Sequence, residues 1–449
     1  MRYFPLTDAD REEMRKVIGI KDSRELFADL PQDKIYYSLA DIPPALAEDE
    51  LLGKFSALAR ANAYPDYLSF LGGGAYRHFI PEVVNQLSSR GEFVTPYTPY
   101  QPEVSQGSLQ AMFEYQTMMT MLTGLDVSNA SLYDGGTAAA EGALLVLRKA
   151  KKDRILVAGN LHPEYIEIIR TYIHNLDLHL ETVDFSRETG AVNLDDLSGK
   201  LDDQTAGFIF QSPNFFGVVE EGQKIADILH GKKAYAVQVI AEAMSLAFLR
   251  SPGQNNVDVA VGEAQSFGLP LGFGGPYLGF MAAKEEFIRQ MPGRIVGQTL
   301  DREGKRGYVL TLSTREQHIK REKATSNICS NEAWCALRAA MYLATLGRKG
   351  LLEVSRINHL NTAYFAREIG KNQKFAVRFP KNFYNEVVVQ VKNVKIEDVL
   401  QKMQDKKILV GIPLKWFFPE YPDALLVNFT ESHTKADIDR LLKALGELS

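Results

Sequence analysis

The feature that most restricts this chain is a regular exchange of short apolar runs with longer amphipathic stretches. Apolar runs fall at residues 154–158, 178–183, 207–210 and 234–240, and helical periods fill 165–175 and 222–230 between them. Strands alternating with helices require crossover connections, and these build a mostly parallel sheet covered on both faces. An α/β fold is therefore expected. At 449 residues, 45% of them apolar, the chain exceeds the usual single-domain core and predicts a large and a small domain.

The flanks read differently. Residues 1–65 predict an N-terminal helical arm, interrupted by Pro31, Pro43 and Pro44, with no strand and no core of its own. Residues 66–330 make the large α/β domain. Early in it a tract rich in glycine, tyrosine and proline leads to a helix over about 108–122 that stops at Gly124. Residues 331–449 predict a small C-terminal α/β domain, with helices over 333–346 and 351–369, strands near 386–391, 407–410 and 424–429, and a last helix from about Lys435. No repeat of solenoid period and no low-complexity tract interrupts this order.

Charge and composition exclude several classes. A net charge of -5 over 24% charged residues contains no long block of one sign, so neither a nucleic-acid groove nor a membrane-seeking surface is expected. No apolar run approaches the roughly 20 residues of a membrane span, and Met1-Arg2-Tyr3-Phe4-Pro5 opens no signal-peptide core. A soluble, cytoplasmic protein is expected, with proteins and small molecules as partners. The two cysteines, Cys329 and Cys335, cannot build a disulfide framework or a four-ligand zinc site. The eight histidines form no HExxH and no cluster, so no metal is expected.

Two glycine tracts carry the first chemical signals. Asp134-Gly135-Gly136-Thr137-Ala138-Ala139-Ala140-Glu141-Gly142 opens a helix expected to reach about 150. Glycines let backbone approach a ligand closely, and a helix start offers free N–H groups to a phosphate. The alternative is an ordinary helix start with Thr137 as cap. The second tract runs from Ser266-Phe267-Gly268 to Gly272-Phe273-Gly274-Gly275-Pro276-Tyr277-Leu278-Gly279. It fails the dinucleotide pattern GxGxxG, because Tyr277 takes the place of the third glycine and no strand is expected close before it, so no nicotinamide is expected.

With these tracts stand Thr95-Pro96-Tyr97-Thr98-Pro99-Tyr100-Gln101-Pro102-Glu103-Val104-Ser105-Gln106-Gly107 upstream and Thr314-Arg315-Glu316-Gln317-His318-Ile319-Lys320-Arg321-Glu322-Lys323-Ala324-Thr325-Ser326-Asn327-Ile328-Cys329 downstream. Together they strongly resemble the P-protein family of the glycine cleavage system. The likeness is closest to the N-terminal half of that protein where the half exists as a separate chain, and it runs from about Gly72 to the C-terminus.

The resemblance implies fold type I of the pyridoxal-phosphate-dependent transferases, the aspartate-aminotransferase-like architecture. There the cofactor is held by a lysine just before a glycine-rich segment, since only a primary amine forms the exchangeable imine. Laying the lysine-bearing pattern over Ala264-Gln265-Ser266-Phe267-Gly268-Leu269-Pro270 puts Gln265 at the lysine's place. The aspartate usual at the end of a central strand is met by Glu242, one methylene longer. The resemblance thus implies a vestigial pocket with Gly135, Gly136, Thr137 and Glu242 as its remnants, and Lys284 as the displaced lysine to consider.

By the same resemblance, pyridoxal phosphate belongs on a lysine-bearing partner subunit, in a heterodimer paired again to a heterotetramer. The assembled glycine dehydrogenase (decarboxylating) takes carbon dioxide from glycine and passes the aminomethyl group to the lipoyl group of the H-protein. This chain alone is expected to be inactive. Tyr97, Tyr100, Gln101, Glu103, Ser105 and Gln106 are candidates to reach the partner's pocket. Arg315, His318 and Arg321, spaced three apart, would share one face if their segment is helical, suited to a carboxylate or an acidic carrier. His78 and His162 could line the pocket but read as structural. Two rivals remain open: a stabilising partner that lines no active site, and a self-sufficient pyridoxal enzyme.

Overall fold

The computed structural model describes residues 6–31, 42–95, 97–324, 326–330 and 332–448, and the chain divides into two compact units, Met1–Pro65 and Asp66–Ser449. Pro96 and Thr325, which belong to the quoted motifs, lie outside the described residues, as do residues 1–5. The first unit holds helices α1 (Asp8–Ile18) and α2 (Glu48–Ala61), and neither buries a side chain. Thr7 and Asp10 cap α1 reciprocally, and Gly19 ends it in the left-handed conformation that glycine adopts without strain.

The second unit opens with β1 (Leu68–Ser69), followed by α3 (Glu82–Ser88), α4 (Gly91–Val94), α5 (Gln106–Thr123) and β2 (Val127–Ser128). Then come α6 (Gly135–Ala150), β3 (Arg154–Ala158), α7 (Pro163–Ile173), β4 (His179–Val183), α8 (Leu194–Lys200), β5 (Thr205–Gln211), α9 (Gly222–Gly231), β6 (Tyr235–Ile240), β7 (Val259–Glu263) and β8 (Gly279–Ala283). These strands form a seven-stranded sheet in the order β2-β8-β7-β6-β5-β3-β4, parallel from β4 through β7 and antiparallel where β8 joins. Every residue of β5, β7 and β8 is buried, as expected of strands covered on both faces. Helix α6 lies against the sheet through Ala138, Ala139, Ala140 and Ala143, and a Cβ at Gly142 would stand 3.1 Å from Val261 Cγ1.

A hairpin of β9 (Ile295–Leu300) and β10 (Arg306–Thr311) follows, then the short α10 (Gln317–Lys320) and the long α11 (Ala333–Ile369). Helix α11 is broken at Gly347, which takes φ 57° and ψ -179°, so the two helices expected from the sequence meet at one residue. Beyond it β11 (Phe375–Val377), β12 (Glu386–Val391), α12 (Ile396–Asp405), β13 (Ile408–Leu409), β14 (Ile412–Pro413), β15 (Ala424–Asn428) and α13 (Lys435–Gly446) complete the chain. Four of these strands form an antiparallel sheet ordered β11-β12-β15-β14, while β13 pairs with β1.

Two expectations are corrected. A strand does precede the second glycine tract directly, since β7 ends at Glu263, three residues before Ser266. The tract then runs into strand β8 and opens no helix, so the geometry of a dinucleotide turn is still missing. The cap of α6 is Asp134, whose Oδ1 accepts the Thr137 N–H at 2.7 Å, and Thr137 lies inside the first turn. No helix among the described residues is long and apolar enough to cross a membrane.

Candidate functional site

Open parallel sheets gather their ligands where the carboxyl ends of the strands meet helix starts. At that edge β7 ends in Glu263, which is fully buried and turns back onto the start of α6. Its Oε2 accepts the Gly135 N–H at 3.0 Å, and its Oε1 accepts Gln265 N–H at 2.9 Å and Leu278 N–H at 2.8 Å. Burial pushes this carboxyl up to about 7, and the three donors only partly offset it. The anion place at the helix start is therefore taken by the chain's own carboxylate.

The space above is filled as well. A Cβ on Gly135 would fall 2.4 Å from the Tyr165 hydroxyl oxygen, and one on Gly136 would fall 2.4 Å from Ile168 Cδ1. The Tyr165 ring stacks on His162 with centroids 4.5 Å apart. His162 donates from Nε2 to Gly73 O at 2.8 Å, and burial holds its pKa below the ordinary value, so it is neutral. Gly135, Gly136 and Thr137 do sit at the helix start, as the sequence indicates, but they meet side chains of this protein.

Gln265 is equally committed. It is 1% exposed, accepts the Tyr76 N–H on Oε1 at 3.0 Å and donates from Nε2 to Leu269 O at 2.7 Å. Lys284 cannot replace it. Its Nζ binds Asp258 Oδ1 at 2.6 Å, and Asp258 precedes β7 whereas Gln265 follows it, so the two lie at opposite ends of the strand. Pyridoxal phosphate does not fit the residues present: Gln265 offers an amide where an amine is needed, and the cradle is occupied by Glu263 and Tyr165.

The segment after Gly72 crosses the same edge. Gly73 N–H and the Tyr76 hydroxyl donate to the two oxygens of Glu386, at 2.7 and 2.9 Å, and burial pushes that carboxyl up to about 7. His78 stands between Glu431, 2.7 Å from Nδ1, and Glu242, 3.0 Å from Nε2. Burial alone would drive its imidazolium down, but the two carboxylates outweigh it and hold the pKa up at about 10. Glu431 is held below the usual carboxylate range, chiefly by His78 acting against the effect of burial. Glu242 thus lies at the strand end expected from the sequence, serving as one arm of a buried ion triad. Sequence reasoning missed Glu263, Glu386, Glu431 and Tyr76. The signal for Glu386 was there: one carboxylate opening the Glu386–Val391 strand just ahead of three valines.

The second group of candidates lies elsewhere on the surface. Tyr97 and Tyr100 are 64% and 77% exposed, and Gln101 and Glu103 are exposed with them. Ser105 is half-buried at the start of α5 and makes no side-chain cap. Gln106 is a brace: Nε2 donates to Pro102 O and Tyr308 O at 2.7 and 2.9 Å, and Oε1 accepts Tyr308 N–H at 2.8 Å.

The row of cations is corrected. Residues 313–315 and 321–323 are separate 3-10 turns around the four-residue α10, and Leu312 and Arg321 take positive φ, so no single helix aligns Arg315, His318 and Arg321. Arg315 is buried and donates to the carbonyls of Met291, Gly293 and Leu312, a structural role. His318 is exposed, 3.8 Å from Glu316, and Arg321 is exposed. Even so, Tyr100, Arg315 and His318 line one open cavity of about 490 Å³, together with Arg294 and Glu316. Arg294, which sequence reasoning also missed, donates to Thr98 Oγ1 and to Ser330 O.

Residues 1–445 match the family model of the glycine cleavage system P-protein. The chain is 45% identical over 449 residues to a probable glycine dehydrogenase (decarboxylating) subunit 1 of Desulfitobacterium hafniense, covering 100% of both chains. It is likewise 45% identical over 448 residues to the protein of the same description from Koribacter versatilis. Among solved structures it is similar to an inhibitor-bound glycine decarboxylase (P-protein) of the glycine cleavage system, at TM-score 0.89 and 40% identity over 100% of both chains. A sphingosine-1-phosphate lyase of Burkholderia pseudomallei shares the fold, at TM-score 0.66 and 15% identity over 93% of this chain and 94% of that one.

Proposed function

Since this chain belongs to the glycine cleavage system P-protein family, we propose that it is the lysine-free subunit of a two-chain glycine dehydrogenase (decarboxylating). The fold is that of pyridoxal-phosphate fold type I enzymes. The observation that carries the reading is the commitment of Gln265 to Tyr76 and Leu269 at the place where the family's lysine stands. An amide spent on two backbone partners offers no nucleophile. The chemistry then belongs to a second, lysine-bearing subunit, and this chain is inactive alone.

In the assembled enzyme, pyridoxal phosphate on the partner supplies the electron sink that lets the glycine carboxylate leave as carbon dioxide. The remaining aminomethyl group passes to one sulfur of the lipoyl disulfide on the H-protein, and the other sulfur becomes a thiol. This chain contributes the exposed face around Tyr97, Tyr100, Arg294 and His318, which closes over the partner's pocket. There the phenols orient polar groups of the substrate, the Arg294 guanidinium favours its carboxylate, and water is excluded. The pair assembles further into a heterotetramer in the cytoplasm.

The test is reconstitution. The purified chain, incubated with pyridoxal phosphate and then desalted, should retain no visible absorbance and should not exchange labelled carbon dioxide with glycine; adding the lysine-bearing subunit should produce both. Exchange by the solitary chain would overturn the proposal.

A further inference from the structure

The loop of exposed phenols contains one residue that faces inward and makes two different contacts. Thr98 is 3% exposed, whereas Tyr97 and Tyr100 beside it are exposed. Its carbonyl oxygen accepts the Tyr100 N–H at 2.8 Å, closing a tight three-residue turn that fixes where Tyr100 begins. Its hydroxyl oxygen, Oγ1, accepts a hydrogen bond from Nη1 of Arg294. Thr98 therefore touches both the phenol and the cation of the face described above.

The guanidinium has few other holds. Its Nη1 reaches Ser330 O only at 3.4 Å, and its Nε stands 3.9 Å from Glu316 Oε2, beyond hydrogen-bond reach. Nη2 makes no hydrogen bond among the described residues, and Arg294 lines the same cavity as Tyr100. The backbone around the contact is fixed by other bonds. Arg294 N–H donates to Ser330 Oγ at 2.8 Å, and Gln116 exchanges two hydrogen bonds with the Val296 backbone, at 2.9 and 3.1 Å. At the far end of the loop, Gln106 binds both backbone groups of Tyr308. The Thr98 hydroxyl is thus left to govern one thing, the direction in which the guanidinium points.

We propose that Thr98 is a positioning residue for the substrate carboxylate: its hydroxyl holds Nη1 of Arg294 so that Nη2 is aimed at the carboxylate. An arginine that must be ordered afresh for every substrate binds more weakly, because immobilising a long side chain costs free energy. Thr98 touches no substrate itself and acts through Arg294. The inference rests on the reading that this face closes over the partner's pocket.

The experiment is steady-state exchange in the pair reconstituted with the lysine-bearing subunit. Thr98→Val keeps the side chain's shape and the carbonyl bound to Tyr100 but removes the hydroxyl. It is expected to raise the KM for glycine about tenfold while kcat stays within about twofold. Acetate, the substrate without its amine, should inhibit about tenfold more weakly, and methylamine, the substrate without its carboxylate, should inhibit as before. Thr98→Ser, which restores the hydroxyl, should return the native values. In an Arg294→Gln background Thr98→Val should add nothing, because the group it acts through is gone. The proposal is overturned if acetate and methylamine inhibition weaken alike, as a general loosening of the loop would make them. Should the valine variant fail to assemble, Thr98→Ala is measured in its place. If Arg294→Gln alone leaves the glycine KM unchanged, the assignment of Arg294 to the substrate carboxylate falls, and Thr98 with it. If Arg294→Gln raises that KM and neither Thr98→Val nor Thr98→Ala does, only the positioning role falls.

Discussion

The side-chain oxygen of Gln265 accepts the backbone N–H of Tyr76 at 3.0 Å, joining residues 189 positions apart at the edge of the large sheet. Reintroducing an amine there therefore removes a structural bond before it adds any chemistry. Gln265→Lys is expected to cost about 2 kcal/mol or more, because the Tyr76 N–H and Leu269 carbonyl lose their partner and a charge is buried. It should gain no pyridoxal absorbance, since Glu263 and Tyr165 still fill the cradle. Urea unfolding and a visible spectrum check both, and a yellow, stable variant would refute the account.

The His78 triad predicts how stability varies with pH. The imidazole pKa rises from 6.5 to about 10 on folding, so its contribution is fully present below pH 6.5 and is lost as pH rises through about 10. His78→Gln leaves Glu242 and Glu431 buried without a cation, which should cost about 3 to 5 kcal/mol at neutral pH. It should also flatten the loss of stability between about pH 7 and 10. Urea midpoints across that range, measured for both proteins, would contradict this if the two curves ran parallel.

Glu263 offers a separate test, because its carboxylate accepts three N–H groups. An amide in its place must turn its NH₂ toward at least one of Gly135, Gln265 or Leu278, setting donor against donor. Glu263→Gln is expected to lose about 1 to 3 kcal/mol at pH 5, where the native carboxyl is already largely protonated. The native group, raised from 4.5 to about 7, contributes most below pH 4.5 and loses that contribution as pH rises through 7. The penalty of the substitution should therefore shrink from pH 5 to pH 8. A penalty that grew over this range would exclude the argument.

Tyr100 is 77% exposed and lines the cavity with Arg294 and His318, so its removal touches no core. In the reconstituted pair, Tyr100→Phe is expected to reduce glycine–carbon dioxide exchange by about tenfold, the size of one lost polar contact in a water-free site, while leaving assembly on a sizing column unchanged. Tyr97→Phe should act in the same direction. Full activity in both would favour the rival in which this chain only stabilises its partner.

Much of the scaffold was legible from periodicity. The strands at 154–158 and 235–240, and the helices ending at Gly124 and beginning at Lys435, lie where apolar runs and caps put them. Strand β7 was not, because Val259-Ala260-Val261-Gly262-Glu263 mixes small residues with a glycine and an acid and blurs any apolar run. The aligned cations failed for a local reason: backbone turns at Leu312 and Arg321 break the helix that their spacing assumed. The carboxylates at the strand ends were hidden for a topological reason. Tyr76 meets Glu386 across 310 positions and His78 meets Glu431 across 353, and no pattern along a single sequence encodes such pairings.

His78 holds Glu242, just past β6 of the large sheet, and Glu431, just past β15 of the small one, with no solvent between them. A charged tether of this kind loses its attraction steeply with stretch and gains no hydration until it is fully pulled apart. The two sheets are thereby riveted into a stiff block, and exchange of the hydrogen-bonded amides of Tyr76 and Phe79 should proceed only when the whole unit unfolds. In the proposed two-chain enzyme, the motion that admits a substrate would then have to come from the other chain.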